Sequence, residues 1–164
     1  MARRVQRGLG VNVRDIMSAP PVTVDRTDTL AFAEELMNVE RIRHLPVVDG
    51  DVLLGLISQR DLLAASISTL SQPSEEEDLE RKRKVEVGAM MHGVVETVGP
   101  DTPAERAAAT LLAHQLGCLP VIDERHHLLG IVTSSDFVRL AQSLLGGLSH
   151  ARPARPRRGS AARR

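Results

Sequence analysis

The feature that most constrains this chain is that it is written twice. Residues 13–62 lie over residues 87–137. Met17 falls on Met91, Thr23 on Thr97 and Leu45-Pro46-Val47-Val48 on Leu119-Pro120-Val121-Ile122, at an offset of 74 positions. After one inserted residue in a turn, Gly55-Leu56-Ile57-Ser58 falls on Gly130-Ile131-Val132-Thr133, and Asp61 on Asp136. The period exceeds that of stacked solenoid repeats, so the register marks duplication of a domain-sized unit.

Each copy reads as β-α-β-β-α, which predicts a mixed α/β (α+β) fold built of two such repeats. A short strand covers Val22-Thr23-Val24 or Val94 to Val98. A helix opens after Asp28-Thr29 or Asp101-Thr102-Pro103, where polar caps and a proline favour a helix start. Two apolar runs follow, Leu45–Val48 with Val52–Ile57 and Leu119–Ile122 with Leu128–Val132, each pair joined by a charged turn as in a hairpin. A second helix opens at Ser58 or Thr133.

This predicts a basic arm over 1–12, repeats over 13–67 and 85–145, and a charged helical linker over 68–84. The linker is expected to be solvated, with Glu77 and Arg81, and Glu80 and Lys84, spaced for i,i+4 pairing. From Gly146 the Gly, Pro, Ala and Arg content predicts a disordered Arg-rich tail over 146–164.

Composition narrows the function. The chain of 164 residues has no Trp or Tyr and two Phe, so it offers no aromatic platform for stacking single-stranded nucleic acid. Its net charge of zero hides an asymmetry. Nine of the twenty-one basic residues lie at the two ends (Arg3, Arg4, Arg7 and six Arg from Arg152 on), which leaves twelve against twenty-one acidic residues in the body. Such a body does not coat phosphates. The tail could dock on nucleic acid, an anionic surface or an acidic partner, or stay solvated. The single cysteine, Cys118, cannot form an internal disulfide and fits a reducing compartment. No run is long enough to cross a bilayer, and the expected location is cytoplasmic.

Ser58 and Thr133 each follow a strand and open a helix, whose free N–H groups and dipole suit a phosphate. Three residues on, Asp61 and Asp136 can accept from both hydroxyls of a ribose. The competing reading is a capping box, in which the same residues only satisfy orphan backbone donors. His126-His127 lacks a partner cluster at metal spacing and reads as a turn. His44 and Cys118 hold matching positions before Leu-Pro, which suits a structural or ligand-lining role. Met90-Met91 reads as core. No activated nucleophile, catalytic residue or metal site is suggested.

The duplicated Gly-apolar-apolar-Ser/Thr-x-x-Asp pattern resembles a pair of cystathionine-beta-synthase (CBS) domains, the tandem arrangement called a Bateman module. Val13-Arg14-Asp15-Ile16-Met17-Ser18, Arg41 to Asp49, Gly55 to Asp61, Leu119 to Asp123 and Gly130 to Asp136 carry the resemblance. It implies two repeats packed through their sheets about a pseudo-twofold axis, leaving two clefts that take AMP, ADP, ATP or S-adenosylmethionine as regulatory ligands rather than tightly bound cofactors.

By that resemblance, adenine lies beside Val22 or Val95. Asp136 and Thr133 work with Ser18, Val22 and Arg43, while Asp61 and Ser58 work with His92, Val95 and Gly117. Arg43 and Arg60 offer guanidinium groups to phosphate, whereas Gly117 and Ser134-Ser135 bring no charge, so two unequal sites are expected. The resemblance also implies a homodimer that modulates an effector protein. The alternative is an interaction module with structural clefts that binds through its Arg-rich tail.

Overall fold

The computed structural model describes residues 10–67 and 74–150. The first repeat runs through β1 (Val24–Asp25), α1 (Leu30–Glu40), β2 (His44–Asp49), β3 (Val52–Ser58) and α2 (Gln59–Ile67). After α3 (Glu75–Lys82) the second repeat supplies α4 (Ala104–Ala113), β4 (Cys118–Ile122), β5 (Leu128–Thr133) and α5 (Ser134–His150). The strand order β1-β2-β3, with β1 parallel to β2 and β2 antiparallel to β3, is echoed by β4-β5 with Val98 bridging in parallel to Val121. The predicted β-α-β-β-α order holds in both copies.

The first strand of each copy is shorter than predicted. Only Val24–Asp25 forms a strand in the first copy and only Val98 pairs in the second, while Val94 is fully exposed. The cause lies in the neighbouring strand. Val98 donates to the Pro120 carbonyl and accepts from Ile122, and the next bond toward the N-terminus would need an N–H from Pro120. Proline has none, so Pro120, and Pro46 at the matching place, end the parallel ladder.

The copies trade the segments that precede them. Val13, wholly buried, belongs to the core of the second copy with Ala107, Leu111, Leu119, Val121 and Val132. Val87 belongs to the core of the first with Leu30, Leu45, Val47, Ile57 and Leu62. Backbone bonds follow suit: Val13 N–H reaches the Thr102 carbonyl at 2.9 Å and Val87 N–H the Asp28 carbonyl at 2.7 Å. Each traded segment then adds one residue to the far sheet. Ser18 exchanges bonds of 2.9 and 3.1 Å with Ile131, and His92 exchanges bonds of 2.9 and 3.0 Å with Leu56. Burying each valine stabilises by about 2 kcal/mol.

Glycine permits that approach. A Cβ on Gly55 would lie 2.4 Å from the His92 carbonyl oxygen, and one on Gly130 would lie 2.8 Å from that of Ser18. Near the pseudo-twofold axis the hairpin tips meet at Val52 and His127, with Leu53 N–H on the His126 carbonyl and Leu128 N–H on the Asp51 carbonyl, an exchange of equivalent positions.

The linker and tail differ from expectation. α3 starts at a capping box, Ser74 with Glu77, and most of it is exposed, but Lys82 is buried. Its Nζ sits 2.8 Å from Glu34 Oε1 on α1 and 3.0 Å from Asp78 Oδ2, which pins the linker to the first copy. Burial alone would push the Lys82 ammonium down, but its bonds to Glu34 and Asp78 outweigh that and raise it. The helix expected to stop by Gly146 runs to His150. A glycine inside a helix costs about 1 kcal/mol, too little to end a helix already propagating. The rest of the Arg-rich tail, and the basic arm up to residue 9, lie outside the described residues.

Gly55→Ala is expected to destabilise the fold by about 1–3 kcal/mol in urea melts, because the alanine methyl meets the His92 carbonyl. Gly146→Ala, with open space around it, is expected to be neutral or stabilising by up to about 1 kcal/mol.

Candidate functional site

Each half of the candidate site is the corner where the hairpin's second strand becomes a helix. Ser58 ends β3 and Asp61 lies in the first turn of α2; Thr133 ends β5 and Asp136 lies in the first turn of α5. Asp61 Oδ2 accepts from Ser58 N–H at 2.7 Å and from Ser58 Oγ–H at 2.6 Å. Asp136 Oδ2 accepts from Thr133 N–H at 2.7 Å and from Thr133 Oγ1–H at 2.8 Å. Both corners thus have the capping geometry. The hydroxyls expected to donate to a phosphate donate instead to their own aspartates.

The outward oxygens differ. Asp61 Oδ1 lies 3.0 Å from His92 Nε2, contributed by the traded segment of the other copy. Asp136 Oδ1 accepts from Arg139 Nη1 at 2.8 Å, a contact within α5. Burial pushes the Asp61 carboxyl up, but the bonds from the Ser58 hydroxyl, His92 and the Ser58 N–H outweigh it and hold the carboxyl below its usual range.

Between the copies His44 meets Gly117. A Cβ on Gly117 would stand 2.6 and 2.7 Å from the His44 ring, so a side chain at the position that holds Arg43 in the first copy would have to displace that ring. Burial lowers the His44 pKa, and Arg43 and Arg60 add to this against an opposing pull from Asp61. Arg43 and Arg60 are exposed, and the Arg43 carbonyl accepts from Gln59 N–H at the opening of α2. The backbone of Arg43, which the sequence reading groups with Asp136, therefore lies at the Asp61 corner. Ser18 sits beside Ile131, two residues before Thr133. Val22 packs against the first core, and Val95 is half-buried.

The remaining sequence candidates are structural. Met90 and Met91 pack on the first core. His127 Nδ1 lies 3.0 Å from Asp123 Oδ2, while Asp123 Oδ1 accepts from the N–H groups of Arg125 and His127, which ties the turn together. Among the described residues no cluster of His, Cys, Asp or Glu could hold a metal ion. Cys118 is buried, and desolvation pushes its thiol up to about 12, so it is a poor nucleophile. Sequence reasoning missed Arg139 and the His44–Gly117 contact. The i,i+3 spacing of Asp136 and Arg139 was the one available signal for the first, and nothing local signals the second.

Two repeats that complete each other and carry paired helix-opening corners, each beside a residue of the other copy, define a tandem module. The chain belongs to the CBS domain family, whose profile matches residues 13–68 and 86–143. It is similar to a Vibrio cholerae protein assigned to acetoin utilization, 38% identical with a TM-score of 0.73 over 88% of this chain and 100% of that one. It is also similar to the CBS domain pair of protein MJ0100, solved in complex with 5′-methylthioadenosine and S-adenosyl-L-methionine (27% identical, TM-score 0.68, covering 82% and 98% of the two chains). Arabidopsis thaliana CBSX2, solved in complex with AMP, is 29% identical with a TM-score of 0.69, covering 83% and 99%. The chain spans 94% of a Dictyostelium discoideum CBS domain-containing protein at 35% identity, but only 23% of L-aspartate semialdehyde sulfurtransferase of Methanocaldococcus jannaschii.

Asp61→Asn should remove a stability increment that is present above the ordinary carboxylate range and lost as pH falls through the lowered Asp61 value. The gap between wild-type and variant melts is expected to be full above about pH 5 and to close as pH falls below the ordinary aspartate value and through the lowered Asp61 value. Cys118 is expected to resist iodoacetamide at about pH 8 until the chain is unfolded, which mass spectrometry would read directly.

Proposed function

We propose that this chain is a regulatory module that senses an adenosine-type ligand at its two composite sites. The observation that carries the reading is the pairing of Ser58 with Asp61 and of Thr133 with Asp136 at two equivalent helix openings, each beside a residue borrowed from the other copy. An ionised carboxylate with one outward oxygen suits a ribose diol, and the positive end of a helix dipole suits a phosphate. AMP in one solved relative, and 5′-methylthioadenosine with S-adenosyl-L-methionine in another, support the ligand class. In this reading Ser18, Val22, Thr133 and Asp136 serve one site and Ser58, Arg60, Asp61, His92 and Val95 the other, while Arg43 and Gly117, whose carbonyls accept from the openings of α2 and α5, lie where the two copies meet at His44.

The reading is regulatory rather than catalytic, with the nucleotide as an exchangeable signal passed to an effector protein. The chain is taken to work in the cytoplasm. No helix among the described residues is long and apolar enough to cross a membrane. The helical faces favour a homodimer: Val39 on α1, Leu63 on α2, Leu112 on α4 and Val138 on α5 are all more than half exposed.

A second reading is favoured by the caps themselves. If Asp61 and Asp136 only cap their helices, the sites are structural and the Arg-rich tail does the binding.

Calorimetry with AMP, ATP and S-adenosylmethionine separates the two. Asp136→Ala is expected to lower affinity at its site at least about fivefold, since an unpaired ribose hydroxyl costs roughly 1–3 kcal/mol. Absence of heat from all three ligands, with partner binding lost on deletion of residues 152–164, would establish the second reading.

A further inference from the structure

The two aspartates keep the same inner bonds but have different outer partners. Asp61 Oδ1 meets His92, and Asp136 Oδ1 meets Arg139. The position matching His92 in the other copy is Ser18, and the position matching Arg139 is Ala64, so neither contact can form at the other site. In each case Oδ2 is already committed to the cap, which leaves Oδ1 as the oxygen a diol must take. The covering side chains are 67% exposed for His92 and 72% for Arg139, so either can swing into solvent without opening a cavity.

We propose that His92 and Arg139 are the specificity-determining residues of the two sites: each covers the carboxylate oxygen that a ribose diol would take. Ligand entry at Asp61 is therefore coupled to a proton on an imidazole, and entry at Asp136 is not. The inference rests on the ribose-binding reading above.

The charged groups around His92 set the direction. It faces Asp61 on α2, with His44 of β2 close enough to feel Asp61, Arg43 and Arg60. Histidine changes charge between about pH 5 and 8. A protonated imidazole holds a carboxylate through a charge-assisted bond roughly twice as strong as a neutral one, so acidification closes the Asp61 site. A guanidinium does not change charge in this range, so the contact at Asp136 carries no such dependence.

The test uses 5′-methylthioadenosine, which carries the adenine and diol but no group that titrates in this range. Calorimetry on the full chain at about pH 5.5 and about pH 8 compares Asp136→Asn, which isolates the Asp61 site, with Asp61→Asn, which isolates the other. The Asp61 site is expected to bind roughly three- to fivefold tighter at the higher pH, and the Asp136 site to change by less than about twofold. Adding His92→Gln flattens the first slope, and adding Arg139→Gln tightens the second site at both pH values. If an Asn variant melts early, His92→Gln in the otherwise unaltered chain carries the same comparison through its own loss of slope. A slope that survives His92→Gln, or an affinity indifferent to Arg139→Gln, overturns the assignment and leaves the ribose reading standing. Absence of binding to the unaltered chain at both pH values overturns the two together.

Discussion

The structure depends on an exchange. Val13 completes the second core and Val87 the first, so neither copy has a finished interior without the segment that precedes its partner. A repeat of this size buries a smaller share of its surface than a larger domain does, and a missing core residue weighs heavily on it. The exchange solves that problem and makes the sites composite. The residue that ends each traded segment in the far sheet, Ser18 or His92, arrives beside the helix-opening corner of the other copy. The sites are therefore a by-product of how the cores are closed.

Small residues make the exchange possible. Gly55 and Gly130 let a foreign carbonyl come into contact with a strand, and Gly117 makes room for the His44 ring. Pro46 and Pro120 end the parallel ladder by lacking an N–H, which leaves the stretch before Val24 and Val98 free of that ladder. Bonding capacity and steric room, more than the apolar faces, distinguish this arrangement from a generic sheet with helices.

Duplication does not make the sites alike. The two bonds from the capping residue to its aspartate are reproduced to within a few tenths of an ångström in both copies, because a helix opening has few ways to satisfy its donors. What faces outward is unconstrained by that requirement, and there the copies have diverged into an imidazole from across the module and a guanidinium from the same helix. Capping takes one oxygen of each carboxylate and leaves the other to a different partner. That outward oxygen is where the copies of one motif have acquired different partners.

The repeat, the element order, the hairpins and the paired Ser/Thr-x-x-Asp corners were legible from the chain alone, because each is a local pattern written twice. Less was legible where distant residues meet. Lys82 looks like one more charge on a solvated linker until α1 brings Glu34 to it. Gly117 reads as a missing charge until His44 fills its space. Gly146 reads as a helix end, yet α5 continues because propagation outweighs one residue's propensity. The sequence by itself determined that there are two units, what elements each contains and which carboxylates stand at the helix openings, since periodicity and turn chemistry act over a few residues. Only the tertiary structure decided which core Val13 and Val87 enter and what covers Asp61 and Asp136, because those contacts join segments that no local pattern relates.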